Sequence, residues 1–382
     1  MRRFCIYLLL TLSASLISQG QTQQVASVIH TQITINSAVL GETRTVLVRV
    51  PAEYSRPNTR FPVLYMLDAH PPQNAMMAGI VEQQAWGNMI PEMIIVGIQN
   101  TNRSRDLTPA DDGKGGSVGG GPKFLQFIET EVIPLVEKNY RTQPYRIFAG
   151  HSLGGLFVTY AMGVRPGLFN AYIAASPVLD FADNFAIKQA EATFKKSDLP
   201  PTVFFMGLGN EPTLTKGFNA FRDLVKRSKP KGFDFDSREY PDENHPSVVL
   251  RVYYDGLRKI FAGWIPEPSL TIDGLDRHYK ELSKRFNYAI PIPEAMLNQI
   301  GYQFLRAGNN QAAIDAFKRN AETFPDSANC LDSLAESYEK NSQLKLARDT
   351  YERAYKMAEQ HGEAELAASS KRNYERLVEK TR

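Results

Sequence analysis

The chain has 382 residues, of which 43% are apolar and 22% are charged, and its formal net charge is +3. This composition is typical of a folded globular protein, and the length predicts two domains rather than one. The small net charge and the lack of an extended basic run give no indication of binding to nucleic acid or to an anionic membrane surface.

The first twenty residues have the layout of a secretory signal. Arg2 and Arg3 precede an apolar stretch from Phe4 to Ile17, and small and polar residues follow through Gly20. The stretch is shorter than the ~20 apolar residues that a bilayer requires, which favours cleavage over anchoring. We therefore expect residues 1–20 to be a signal peptide and the mature protein to be secreted or periplasmic, without a membrane anchor.

The cysteine content excludes a framework of disulfides. The chain has two cysteines, Cys5 within the predicted signal and Cys330. A mature protein with one cysteine has no internal disulfide, so its stability must come from a large core. No cluster of cysteine and histidine has the spacing of metal ligands. We expect neither a metal nor an organic cofactor.

Several strands are predicted in the first third of the chain. The alternation of polar and apolar residues over Thr31–Pro51 predicts a hairpin that turns at Gly41, as at the antiparallel edge of a sheet. Two compact apolar runs follow, Phe61–His70 and Met93–Asn100, and each is typical of a buried strand.

A long loop crowded with glycine, Thr101–Gly121, comes next. It lacks the lysine and the serine or threonine that a phosphate-binding P-loop carries directly after its last glycine, so nucleotide binding is not predicted. Its position after a strand places it at the rim of a site. Arg103 and Arg105 could bind a substrate carboxylate there, or they could pair with Asp106 and face solvent; the sequence leaves both open.

The segment GHSLGG, residues 150–155, lies between a strand-like run and a helix-like run. In this order a serine sits on a sharp turn, and glycines at Gly150 and Gly154 remove the clashes that larger residues would make. The turn exposes the hydroxyl of Ser152 and leaves the amide of Leu153 free to bind an oxyanion. Ser152 is therefore the candidate nucleophile. His151 diverges from it on such a turn and is interpreted as scaffold.

The candidate base follows by elimination. Only three histidines come after Ser152 in the chain, and His278 and His361 lie in a region that is predicted to be helical and separate. His245 lies in a loop rich in turn residues, after the alternating run Phe233–Tyr240, where a general base can reach the serine.

The candidate acid is Glu211. The run Thr202–Gly209 is typical of a buried strand, and the turn after it carries Glu211. A loop just past such a strand is where the group that orients the imidazole is needed. Asp242, Glu243 and Asp180 remain alternatives, the first two because they are near His245 in sequence.

The chain resembles the putative-esterase family of α/β-hydrolases, which includes enterobactin-type siderophore esterases, esterase D-like S-formylglutathione hydrolases, and feruloyl or acetyl-xylan esterases. The resemblance covers about Thr31 to Ile265. It rests on VLYMLD, NRSRDLTP, GGGPKFLQFIETEVIPLVEKNY, YRIFAGHSLGGLFVTYA, FNAYIAASPVLD and ENHPSVVLRVYYDGLRKIF.

The resemblance implies an α/β fold with a central, mostly parallel sheet. It puts the nucleophile at Ser152, the base at His245, one oxyanion amide at Leu153 and the second at or near His70. Relatives vary at the acid. Many relatives have Asp-Gly at the end of the strand before His70, where this chain has Asp-Ala. The chain therefore departs from the family pattern in the loop that would hold the second oxyanion amide.

The sequence pattern changes at Pro266–Leu270, where two prolines interrupt any regular element. We predict an α/β-hydrolase esterase domain over 27–266 and an all-α domain over 271–382. Leu275–Phe286 is an amphipathic helical stretch, and Pro293 is placed for the first turn of another helix.

The predicted helical domain has an internal repeat. Small or aromatic residues recur 34 positions apart at Gly301 and Ala335, Ala313 and Ala347, and Phe317 and Tyr351. This period is the one of tetratricopeptide repeats. Two units are fewer than the roughly three that usually stand alone, so we expect them to pack on Leu275–Phe286, on a last helix from about Glu363 to Lys380, or on the first domain.

Taken together, the residues favour a serine carboxylic-ester hydrolase that acts on a small-molecule or glycan-linked ester through an acyl-enzyme on Ser152. The repeats could bind a protein partner, mediate self-association or only stabilise the chain. Two other functions stay open: a non-catalytic scaffold of the same fold that works through its repeats, and acyl transfer to a sugar or lipid acceptor.

Overall fold

The computed structural model describes residues 30–56, 58–196, 199–267 and 271–382. The predicted signal, residues 1–20, lies outside the described residues. A single eight-stranded sheet forms the centre of the fold. Its strands are Thr31–Ser37 (β1), Glu42–Arg49 (β2), Phe61–Met66 (β3), Ile94–Ile98 (β4), Thr142–His151 (β5), Ala171–Ala175 (β6), Thr202–Leu208 (β7) and Phe233–Glu239 (β8).

The strand order across the sheet is β1-β2-β4-β3-β5-β6-β7-β8. β4, β3 and β5 to β8 run parallel to one another, while β1 and β2 form the predicted antiparallel hairpin at one edge. Gly41 in the hairpin turn has a φ of 68°, a left-handed conformation that favours glycine. The predicted α/β fold with a mostly parallel sheet is confirmed.

Fourteen α-helices accompany the sheet in the described ranges. They are Pro71–Trp86 (α1), Arg103–Leu107 (α2), Gly121–Phe127 (α3), Ile133–Asn139 (α4), Leu153–Val164 (α5), Phe181–Phe194 (α6), Pro212–Ser228 (α7), Val248–Ile260 (α8), Ile272–Phe286 (α9), Glu294–Arg306 (α10), Asn310–Thr323 (α11), Ala328–Lys340 (α12), Leu344–His361 (α13) and Ala364–Lys380 (α14).

Both faces of the sheet are covered by helices, which explains why the central strands read as continuous apolar runs. Successive side chains of a strand point to opposite faces, so Tyr65 joins the core under α3 to α7 and Leu64 joins the core under α1 and α8. This packing brings the carboxyl ends of the parallel strands to one edge of the sheet, and the loops at this edge carry the candidate catalytic residues.

The helical C-terminal region shares a core with the sheet domain. Phe286, at the end of α9, is fully buried among the rings of Tyr145, Phe261 and Trp264, at centroid distances of 4.9, 5.2 and 5.6 Å. The predicted boundary between 266 and 271 therefore falls between elements that pack against each other.

The repeat seen in the sequence has a counterpart in the helices. α10 and α12 begin 34 positions apart, and so do α11 and α13. A Cβ at Gly301 would lie 2.5 Å from the ring of Phe317, so the crossing of α10 and α11 requires a residue without a side chain. The next small residue of the pattern, Ala335, is fully buried.

We predict that Phe286→Ala destabilises the whole chain. The substitution removes a fully buried ring from the junction, and large-to-small changes of this kind cost about 3–5 kcal/mol. Urea unfolding followed by tryptophan fluorescence and by circular dichroism measures the loss. Leu346→Ala is the matched control, because Leu346 is 51% exposed on α13 and should change stability by less than about 0.5 kcal/mol. Equal stability of the two variants would contradict the shared core.

Candidate active site

Ser152 occupies a strained turn between β5 and α5. Its backbone has φ 59° and ψ −115°, a conformation that costs a residue with a side chain roughly 1–3 kcal/mol. A Cβ at Gly150 would overlap the backbone of Gly154, so only glycine allows the strand and the helix to approach this closely. The amide of Ser152 donates to the carbonyl of Ala175 at 2.9 Å, which fixes the turn to β6.

Ser152 lines a cleft of about 520 Å³ at the carboxyl edge of the sheet. The cleft is lined by Ser152, Val178, Asn210, Glu211, Pro212, Thr213, Leu214 and His245. The serine, the histidine and the acid that were predicted from separate parts of the sequence therefore meet at one cleft. Its volume lies in the range of about 300–1,000 Å³ that is typical of small-molecule sites.

Glu211 binds the imidazole of His245. One carboxylate oxygen contacts Nδ1 of His245, and the other accepts from the hydroxyl of Ser176 and, at 3.1 Å, from the amide of Gly209. The Glu211 side chain is 8% exposed and that of His245 is 41% exposed. The carboxylate is thus held on both oxygens, and Nε2 is the ring nitrogen that stays available to a reacting group.

Ser152 and His245 share the cleft without a direct bond. Among the hydrogen bonds of the described residues, none joins the hydroxyl of Ser152 to the imidazole. Catalytic hydrogen bonds are often long before substrate is present and tighten in the reacting complex.

The alternative acids have other partners. Asp242 accepts from Arg251 at 2.6 Å, and Glu243 contacts Arg251 at 3.3 Å and the hydroxyl of Ser247 at 2.6 Å. Asp180 precedes α6 and is not among the residues that line the cleft. Of the four carboxylates considered, Glu211 is the one that contacts His245 in the structure.

The two predicted oxyanion donors differ in their surroundings. Leu153 is the first residue of α5, where amides have no partner within the helix. The amide of His70 instead donates to the carbonyl of Asp68 at 2.8 Å, across a turn in which Asp68 has φ 56°. The His70 amide is therefore already engaged in an internal hydrogen bond.

Arg103 connects the nucleophile turn to the end of β3. Its guanidinium forms two hydrogen bonds with the carboxylate of Asp68, at 2.7 and 2.9 Å, and a third with the carbonyl of His151 at 3.1 Å. The hydrogen bonds to Asp68 raise the pKa of Arg103 further above its usual value. Its side chain is 36% exposed, so part of it stays accessible to solvent, but it is not among the residues that line the cleft.

Arg105 belongs to an ion-pair network away from the cleft. It contacts Asp106 at 2.7 Å and Glu42 at 2.6 Å, and the fully buried Arg44 contacts Asp106 at 2.6 Å. The hydrogen bond from Arg105 is the main reason why the pKa of Glu42 falls to about 2. The sequence left two interpretations open for Arg105, binding of a substrate carboxylate or pairing with Asp106. In the structure, Arg105 pairs with Asp106. The network fixes the loop after β4 onto β2.

Two neighbours of the cleft were not predicted to take part in the site. The ring of His151 lies 4.4 Å from that of His245, tilted by 43°, and its Nε2 is buried without a hydrogen-bond partner among the described residues. Burial, assisted by the nearby His245, lowers the pKa of His151 to about 4. Ser176, the residue after β6, binds Glu211. The only sequence signal for Ser176 was a polar residue at the end of an apolar strand.

The described ranges hold neither a cluster of metal ligands nor a membrane-spanning helix. In these ranges, no three His, Cys, Asp or Glu side chains are grouped so that they could hold a metal ion. Within the same part of the chain, no helix combines the length and the apolar character needed to cross a bilayer.

Comparisons with known proteins indicate an esterase. A family model described as "Putative esterase" matches residues 37–202. Ferri-bacillibactin esterase of Bacillus subtilis is 29% identical over 226 residues, which cover 50% of this chain and 76% of that protein. A siderophore triacetylfusarinine C esterase of Aspergillus fumigatus is 36% identical over 92 residues, covering 24% of this chain and 32% of that protein.

Solved structures show the same fold. The crystal structure of an IroE-like serine hydrolase from Shewanella oneidensis is 29% identical and superposes with a TM-score of 0.69, covering 78% of this chain and 100% of that one. The matched family and the relatives support an esterase enzyme with an α/β-hydrolase fold.

We predict that the protein loses stability in acid through His151. Because its pKa is about 4 in the fold and 6.5 in an unstructured peptide, the unfolded chain binds the proton first as the pH falls. The neutral ring of His151 makes its full contribution to the free energy of unfolding above pH 6.5. This contribution disappears as the pH falls through 4. Urea unfolding measured across this range should show a smaller loss of stability for His151→Gln than for the wild type.

The matched control for this experiment is His361→Gln, at the exposed end of α13. It should retain the pH dependence of the wild type. An unchanged pH dependence in His151→Gln would show that the ring does not resist protonation.

Proposed function

We propose that this esterase is a serine carboxylic-ester hydrolase in which Ser152 is the nucleophile, His245 the general base and Glu211 the group that orients the base. The observation that carries the proposal is the bond between the buried carboxylate of Glu211 and Nδ1 of His245, in the cleft that Ser152 lines from its strained turn. A carboxylate in this position selects the tautomer of the imidazole and stabilises its cation.

The reaction begins when Oγ of Ser152 attacks the carbonyl carbon of the ester and transfers its proton to Nε2 of His245. The amide of Leu153 donates to the oxyanion of the tetrahedral intermediate. The intermediate collapses, the bond to the alcohol oxygen breaks, and His245 returns the proton to this oxygen. Water then attacks the acyl-enzyme in the same way and regenerates the serine.

A second oxyanion donor comes from the turn at Asp68–His70. The amide of His70 points at its own chain in the described state, because it donates to the carbonyl of Asp68. For the His70 amide to donate to the oxyanion, its hydrogen bond to the carbonyl of Asp68 must break. Leu153 needs no such exchange, since its position at the start of a helix leaves its amide without an intrahelical partner.

We propose that the substrate is a small-molecule ester and that siderophore esters are the first candidates within this class. The support comes from the relatives named as siderophore esterases and from a cleft of about 520 Å³ with apolar walls at Val178, Pro212 and Leu214. Arg103 is partly exposed beside the serine turn, but an anionic group of such a substrate would have to share its guanidinium with Asp68. Esters linked to glycans are the alternative class.

For the helical region we propose a pair of tetratricopeptide-like repeats, formed by α10 with α11 and by α12 with α13. The repeated small residues at the crossings and the 34-residue spacing of the helices support this. Because α9 shares the core of the sheet domain, we favour a stabilising role over binding of a partner or self-association. We also propose that residues 1–20 direct export to the periplasm or the medium.

Ser152→Ala should abolish turnover of p-nitrophenyl acetate, with a loss of kcat of about 10³-fold or more, because the variant lacks the hydroxyl that forms the acyl-enzyme. The matched control is Ser104→Ala, an exposed serine of α2 in the rim loop, which should retain the wild-type rate. Similar rates in the wild type and in Ser152→Ala would favour the non-catalytic scaffold. Added alcohols that accept the acyl group would favour the acyltransferase.

Glu211→Gln should lower kcat by about 10²-fold or more with little change in KM, because an amide cannot stabilise the imidazolium that forms in the transition state. Steady-state kinetics on the same ester provide the measurement. Asp242→Asn is the matched control, because Asp242 pairs with Arg251 at the surface and should leave the rate unchanged. The reverse order of effects would identify Asp242 as the acid.

A further inference from the structure

We propose that the chain carries a docking surface for anionic phospholipid headgroups at the edge of the sheet opposite the cleft. The surface, here called the basic patch, is defined by six exposed cations at the ends of α6 and α7: Lys195, Lys196, Lys226, Arg227, Lys229 and Lys231.

The fold joins two groups of cations that the sequence separates. Lys195 follows Phe194, whose ring lies 4.8 Å from that of Phe233, two residues after Lys231. The amide of Thr202 also donates to the carbonyl of Gly232 at 2.9 Å, which ties the segment before β7 to the segment before β8. Four of the six cations fall within residues 226–231, and the fold adds Lys195 and Lys196 to them.

Within the described residues, most cations of the basic patch form no ion pair, whereas neighbouring cations do. Along β8, Arg222 contacts Glu239 at 2.7 Å, Arg238 contacts Asp255 at 2.6 Å and Lys259 contacts Asp234 at 2.7 Å. Within the part of the chain that the structure describes, the basic patch has one ion pair, Lys195 with Glu191 at 3.8 Å. Among the described residues the other five cations form no ion pair, although Asp223 and Asp234 line the same surface cleft as Lys226.

Helix ends account for only part of this charge. Cations near the C-terminus of a helix stabilise its dipole, which explains Lys226 and Arg227 in the last turn of α7. Lys231 lies beyond the helix, three residues after its end. Because α6 and α7 lead into the parallel strands β7 and β8, their C-termini lie at the same edge of the sheet, which brings these charges together.

The residue types favour a phosphate-rich surface over a specific anion. Five of the six cations are lysines, which act as mobile point charges, whereas recognition of a single phosphate favours the fixed fork of arginine. Phe233 and Phe235, the aromatic residues of the neighbouring strand, are half-buried and pack on Phe204 and Phe221, so only part of each ring is open for stacking on nucleic-acid bases. Anionic lipid headgroups fit this combination better than single-stranded nucleic acid does.

The basic patch and the cleft lie at opposite ends of the same strand. The basic patch precedes β8, and the loop with His245 follows it, so the seven residues of the strand separate them by about 20 Å. A protein that rests on a membrane through the basic patch would turn its cleft toward the aqueous phase. Binding at the basic patch is therefore independent of the esterase chemistry.

The test is co-sedimentation of the chain from Gln21 onward, which retains every described residue, with vesicles of phosphatidylcholine alone or of phosphatidylcholine with phosphatidylglycerol. The wild type should bind only the vesicles with phosphatidylglycerol, and less at high salt, because salt screens the attraction. The variant Lys226→Gln/Lys229→Gln/Lys231→Gln should bind about tenfold more weakly or worse.

The matched control is Lys280→Gln/Lys318→Gln/Lys345→Gln, which removes the same charge from exposed lysines of the helical region and should bind like the wild type. Turnover of p-nitrophenyl acetate in solution should be unchanged in both variants. Equal binding of the two triple variants, or no binding of the wild type at low salt, would overturn the proposal. Binding to single-stranded DNA but not to the vesicles would also overturn it and would identify nucleic acid as the partner.

Discussion

The site depends on the close approach of β5 and α5 at the serine turn. A side chain at Gly150 would overlap the backbone of Gly154, so the strand can pass directly into the helix only because position 150 is glycine. This approach forces Ser152 into its left-handed conformation and puts its hydroxyl into the cleft. The strain is local, and the buried core on both faces of the sheet holds the turn in place.

Glu211 and His245, the proposed acid and base, line the cleft with Ser152 from two further strand ends. Glu211 follows β7 and His245 follows β8, and the parallel order of β5 to β8 brings all three loops to one edge. Ser176 after β6 supplies a hydroxyl to Glu211, so each of four consecutive strands contributes a group at this edge. Arg103 joins the serine turn to Asp68, which connects β3 to the same arrangement.

Sequence patterns predicted the parts of the site that depend on local chemistry. The glycines around Ser152, the strand before Glu211 and the turn residues around His245 are each readable within about ten residues of chain. The contact of His151 with His245 and the pairing of Arg105 with Glu42 join residues far apart in sequence, so no local pattern indicates them. Family resemblance assigns an oxyanion amide at or near His70, and the internal hydrogen bond of this amide is a detail of backbone geometry that resemblance does not supply.

The aromatic junction at Phe286 has a consequence for the catalytic part alone. Two prolines suggest that the chain could be cut near residue 266, yet Tyr145 and Phe261 on the sheet domain are buried partly by the ring that such a cut would remove. In a shortened protein these rings would form an exposed hydrophobic patch, and the protein would tend to aggregate or to dimerise. The helical tail thus keeps these rings buried in the intact chain. Its removal would lower solubility before it lowered esterase activity.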